Sequence, residues 1–272
     1  MRKAIVAGIF YPSDKKELEK EVRKYLSKKK EKIKAVISPH AGYIYSGKLA
    51  GEVLGRIENK ENFILLGVNH SGIGNNISFS LQDFETPLGI IKNNKNLVEK
   101  ILKEMKKYNL DANINEESHF NEHSLEVQLP FLQVSQRKFE IIPILLRDLN
   151  YEECKKIAEI LAKYIDNKTI IVISSDFTHY GINYGFVPFI KDIEKNLYKL
   201  DNEVLVEILK LNSKAVYDKA RKTTICGLYG ITIITEIAKI KNMKPKIINY
   251  YTSGDITGDY RNVVGYAGVI FY

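Results

Sequence analysis

Residues 33–43 read IKAVISPHAGY. The first six form a short apolar run rich in β-branched side chains, the mark of a strand buried on both faces. Pro39 ends the run, and His40 stands just beyond it in a turn with Gly42. The same arrangement recurs twice. FILLGV (63–68) is followed by Asn69 and His70, and TIIVIS (169–174) runs into Ser175-Asp176-Phe177-Thr178-His179-Tyr180-Gly181. In an open α/β sheet, ligands bind in the crevice outside the carboxyl ends of the strands. Three histidines at three such ends converge if the strands are parallel neighbours. This pattern predicts one three-layer α/β/α domain over residues 1–272, built around a mostly parallel central sheet.

Working outward, a helix is expected from Ser13 or Asp14 to about Lys30, with Glu17 placed to complete a capping box. Further helices are expected over about 48–57, 96–107, 151–165, 189–211, 213–221 and 228–240, and another starting at His123 or Ser124. Residues 76–92 alternate and carry Pro87-Leu88-Gly89, which predicts a hairpin. Phe139–Leu146 reads as a strand, and Pro143 within it argues for an edge or a bulge. Two closing strands are expected at 246–252 and 263–272. No internal repeat or linker composition interrupts the chain.

The 272 residues are 44% apolar and 27% charged, enough for a sizeable core and too apolar for a disordered chain. No apolar run approaches the roughly 18 residues of a membrane span. The opening MRKAIVAGIFYP lacks the full apolar core and small-residue cleavage site of a secretion signal, so a cytoplasmic protein is expected. The formal charge of +8 comes mostly from lysines spread over helix faces such as KKELEKEVRKYLSKKKEKIK (15–34). That is the composition of a solvated surface rather than of a nucleic-acid interface. Two cysteines do not make a disulfide framework.

Three imidazoles meeting at one place suggest a metal, or a metal with a base beside it. Cys226 lies just before the helix expected at Leu228, where a helix N-terminus favours the thiolate, so it is a candidate ligand or nucleophile. Cys154 falls mid-helix and reads as a small core residue. Asp176, three residues before His179, is placed to orient that ring. Glu122, His123 and Glu126 suggest an acidic and imidazole wall of the cleft. A His119/His123 pair is a weaker metal candidate, because the HExxH spacing is absent. Tyr43, Tyr45 and Tyr180 are candidate wall residues.

Five ordered blocks then resemble one family. They are Ser38–Tyr43, Gly67–His70, Glu122–Glu126, Ser174–Gly181 and Ile225–Gly227. Together they are similar to the Memo family, also called the AmmeMemoRadiSam system protein B family, and the opening and closing segments fit as well. The resemblance implies a fold like the class III extradiol dioxygenases, whose parent enzymes use non-haem iron. It implies a metal set of His40, His70 and Cys226, with His179 as the acid/base histidine and Asp176 beside it. The parent enzymes complete their triad with a glutamate where this chain has Cys226. A thiolate favours Fe or Cu with redox character, or Zn.

The function expected is therefore a non-haem Fe or Cu oxidoreductase acting on an unidentified small-molecule or peptide substrate. Two alternatives stand beside it. One is a peptide- or partner-binding scaffold, since the family name associates these proteins with a radical S-adenosylmethionine protein and an AMMECR-type protein. The other is a Zn-dependent hydrolase.

Overall fold

The computed structural model describes residues 1–272. Its strands are β1 (Ala35–Ser38), β2 (Asn62–Val68), β3 (Ile77–Phe79), β4 (Phe84–Thr86), β5 (Gly89–Asn93), β6 (Ala112–Ile114), β7 (Glu140–Leu146), β8 (Thr169–Ser174), β9 (His179–Gly181), β10 (Pro245–Thr252) and β11 (Asn262–Phe271). Its α-helices are α1 (Lys15–Tyr25), α2 (Lys48–Gly55), α3 (Lys95–Lys107), α4 (Glu116–Phe120), α5 (Leu129–Ser135), α6 (Tyr151–Ala162), α7 (Ile193–Leu209), α8 (Ser213–Ala220), α9 (Leu228–Ile240) and α10 (Ser253–Thr257). No helix is long and apolar enough to cross a membrane.

All eleven strands join one sheet, whose main path runs β10-β11-β1-β8-β2-β7-β3-β6. Its centre is parallel: β1 pairs β8, β8 pairs β2, and β2 pairs β7 in the same direction. The three strands that carry the histidines are thus neighbours, and the turns after them leave the sheet at one edge. Alternation fills both faces. Ile171 and Ile173 of β8 join Ile157, Val216 and Ile234 on the α3/α6/α8/α9 side. Ile170 and Val172 join Leu18, Val53 and Leu132 on the α1/α2/α5 side. Each of these side chains is fully buried, a stabilisation of about 1.5–3 kcal/mol apiece before entropy is counted. The expected three-layer architecture follows.

Several local expectations change. Asp14 caps α1 by accepting from the backbone of Lys16 and Glu17, but the helix stops at Tyr25 rather than Lys30. There the chain crosses α2 so closely that a Cβ on Gly51 would lie 2.6 Å from that of Tyr25. The hairpin is confined to β4 and β5, while β3 pairs with β7 and β6 instead. No helix begins at His123; the short α4 precedes it, and a 3₁₀ turn at Glu126–Gln128 leads into α5.

Pro143 lies in an interior strand, not at an edge. On the side of β7 away from β2, β5 pairs with Glu140 and Ile141, and β3 takes over at Ile144. The carbonyl of Pro143 faces that side, accepting from Ser80 N. Its missing N–H therefore falls in the seam between two partner strands, and no bond of the β2–β7 ladder is lost.

Candidate metal centre

His40 is held by its backbone and by its ring. Its N–H donates to Asp176 Oδ1 at 2.7 Å, and its Nδ1 lies 2.9 Å from Ser174 Oγ. The hydroxyl of Ser174 gives its single hydrogen to the Ser124 carbonyl at 2.6 Å and accepts from Gln128 Nε2 at 2.9 Å. Only an acceptor site is left, so Nδ1 of His40 must be the protonated nitrogen. Nε2 then faces Cys226 Sγ, 3.3 Å away.

His70 is fixed in a similar way by a carboxylate. Its backbone N–H donates to Glu122 Oε2 at 2.8 Å, and its Nδ1 lies 3.0 Å from Oε1. Glu122 is buried and also accepts from Ser124 N at 2.7 Å. Burial raises the Glu122 carboxyl, but the hydrogen bond and charge of His70 outweigh it and hold it at about 2. An ionised carboxylate only accepts, so Nδ1 donates and Nε2 is left to ligate.

Cys226 stands just ahead of α9, partly exposed, and Asp176 N donates to its Sγ at 3.2 Å. Burial pushes this thiol up, yet the charge of His40 and hydrogen bonds from His40 and His70 bring it down to about 7. The approach depends on Gly227, where a Cβ would lie 2.4 Å from that of Ser175. Ligand atoms of His40, His70 and Cys226 all fall within 4.8 Å of one another. Two imidazole nitrogens and a thiolate, each oriented by a hydrogen bond from behind, form a donor set that suits a borderline or soft metal.

Beyond this trio a cavity of about 570 Å³ opens, lined by His123, His179 and Asp176 and by Phe10, Tyr45 and Tyr266 among others. His123 stacks on His70 with ring centroids 4.9 Å apart. Burial, with the charge of His40 next, lowers its pKa to about 4, so it is neutral at pH 7. His70, Glu122 and His123 also lie close enough to form a metal-holding group. The oxygens of Glu122, however, already serve His70 and Ser124. His179 starts β9; its N–H donates to Thr224 Oγ1 at 2.8 Å and its Nδ1 lies 3.2 Å from the Thr224 carbonyl. Because that carbonyl can only accept, Nδ1 is again the donor and Nε2 is the free nitrogen.

Some expected residues sit elsewhere. Asp176 does not orient His179; it is buried, its carboxyl raised by burial, and it clamps the backbone of His40. Thr224 does the orienting. Glu126 faces away from the cleft. It pairs with Arg2 and accepts from Ile5 N, Val6 N and the Tyr11 hydroxyl. Tyr180 alternates with His179 along β9, so it turns into the interior, stacks on Phe189 and donates to its carbonyl. Tyr43 is also buried and donates to the Val127 carbonyl. His119 is buried against the Ser78 carbonyl, away from His123. Cys154 is buried in α6, and burial pushes its thiol far up.

Sequence reasoning missed Ser174, Gln128, Thr224 and Arg2. The only sequence trace of the first was the paired serine at the end of TIIVIS.

A family model described as Memo-like protein matches residues 2–270. A MEMO1 family protein of Aquifex aeolicus is 42% identical, covering 100% of this chain and 99% of its own length. MEMO1 family proteins of Nitrosopumilus maritimus and Methanosarcina mazei are 37% and 34% identical, each covering at least 98% of both chains.

Proposed function

Because the chain belongs to the Memo-like family, we propose that its His/Cys centre makes it a non-haem Fe- or Cu-dependent oxidoreductase. The observation that carries this reading is the 3.3 Å approach of His40 Nε2 to the Cys226 sulfur, with the His40 tautomer set by Ser174. His40, His70 and Cys226 would hold the ion. Fe or Cu held there would supply Lewis acidity and one-electron redox chemistry to a bound substrate.

The chain's own residues supply the rest. His179 presents a free Nε2 to the cavity and takes or gives a proton there, its ring fixed by the Thr224 carbonyl. His123, neutral at pH 7, adds a second imidazole face. Ile9 and Phe10 add apolar surface to the cavity wall. A thiolate where the parent enzymes have a carboxylate makes the set softer and more electron-donating, which supports the redox reading.

The test is elemental analysis of protein purified without oxygen or chelator, beside Cys226→Ser, His70→Ala and His179→Ala. Near-stoichiometric Fe or Cu is expected in the wild type and in His179→Ala, and loss in the other two. Oxygen uptake with candidate substrates would then fall in His179→Ala despite full metal. Zn in place of Fe or Cu would convert the reading to a hydrolase, and no metal uptake at all would overturn it.

A further inference from the structure

Next to the metal cleft lies a second cavity of about 330 Å³, walled mostly by apolar and aromatic side chains such as Tyr25, Leu49, Tyr251 and Ile256, with Lys48 and Glu52 also on its wall. The two cavities share Ile44 and Tyr45. These residues belong to a π-helical turn at Tyr43–Gly47, a rare geometry that recurs at functional sites. The short helix α10 also serves both, with Ser253 and Thr257 facing the cleft and Asp255 and Ile256 facing the second cavity.

We propose that the second cavity is a subsite of the cleft, so that the substrate is elongated. A polar head sits at the His/Cys centre, and an aromatic or aliphatic tail passes over Ile44 and Tyr45 into the neighbouring pocket. This inference rests on the metal-centre reading.

Two further observations support it. Ile44 is 74% exposed and Ile256 46% exposed, large apolar side chains left bare at the mouth of a tyrosine-lined hollow. Burying such surface under a ligand tail is favourable by about 25 cal/mol per Å². In addition, Tyr251 donates its hydroxyl to the Tyr45 carbonyl at 2.9 Å, which fixes the shared wall from the second cavity's side. The cleft itself is lined by no lysine or arginine, although the chain carries 41 of them. The head is therefore held by the metal centre and the imidazoles around it rather than by a lysine or arginine, and the tail is apolar.

The experiment uses a series of phenylalkyl hydroxamates that differ only in the number of methylenes between a metal-binding head and the ring. Binding to metal-loaded protein is measured by calorimetry for the wild type, Ile256→Trp and Asn249→Trp. Both positions are exposed at the rim of the second cavity, and unchanged thermal melts confirm that the variants fold. Affinity is expected to rise about tenfold or more once the chain reaches the second cavity. Both tryptophan variants should remove that gain and leave the shortest hydroxamate unaffected. Equal affinity along the series, or a gain that survives both variants, overturns the subsite. Failure of every hydroxamate to bind overturns the metal centre, and the subsite with it.

Discussion

Glu122 and Glu126 are four residues apart, both buried, and serve different regions of the molecule. Glu122 turns toward the cleft, where it holds the backbone and ring of His70. Glu126 turns the other way, into the N-terminal segment, where it meets Arg2, Ile5, Val6 and Tyr11. Burial alone does not say what a carboxylate does; its partners do. One carboxylate positions a histidine of the cleft, and the other fastens the N-terminal segment. Arg2 joins the two regions, since its guanidinium also donates to the carbonyls of Glu122 and His119.

The sharpest way to break this division is Glu126→Ala, which leaves the Arg2 charge buried without its partner. A loss of about 3–5 kcal/mol is expected in chemical denaturation, while the folded fraction keeps its metal. Metal lost in step with Glu126 would show that the two regions are one. Glu122→Gln should do the reverse, lowering metal affinity about 10- to 100-fold in a competition titration with a smaller change in stability. A global unfolding of that variant at native metal affinity would contradict the assignment.

The smallest effect concerns pH in the metal-free protein. Glu122 is held at about 2, below its ordinary 4.5, so its contribution is present above 4.5 and fades as pH falls toward 2. Burial lowers His70, but its hydrogen bonds to Cys226 and Glu122, which accept from the ring, outweigh it and raise it to about 10. Its contribution is full below 6.5 and is lost as pH rises through 10. Denaturation midpoints should therefore be highest between these limits, and Glu122→Gln should flatten the acid side. An unchanged acid limb in that variant would remove Glu122 from the account.

His40 and His70 were legible because the cue was local and repeated, and Cys226 because it stands just before a helix. An apolar β-branched run followed by Pro or Asn and then His marks a strand end, and parallel neighbours carry such ends to one edge. The burial of Cys154 was legible for the same reason, from helical periodicity. The roles of Glu126 and Asp176 were not. Glu126 answers to Arg2, more than a hundred residues away in sequence, so no local pattern announces it. Asp176 looked well spaced to orient His179, yet its short side chain reaches across to the turn that follows the neighbouring strand and meets the His40 amide first. The interior position of Pro143 depended on two different strands meeting side by side, which spacing along one strand cannot reveal.

The sheet order also bears on how the chain is made. β1, which leads into His40, is among the first strands to leave the ribosome, but its neighbours are residues 169–174 and 262–271. Until β11 emerges, one side of β1 is a bare edge, open to wrong partners. Synthesis must reach β11 before His40 has its final support. A chain stopped before residue 262 would therefore present His40 on an unfinished sheet, as a target for chaperones and proteases.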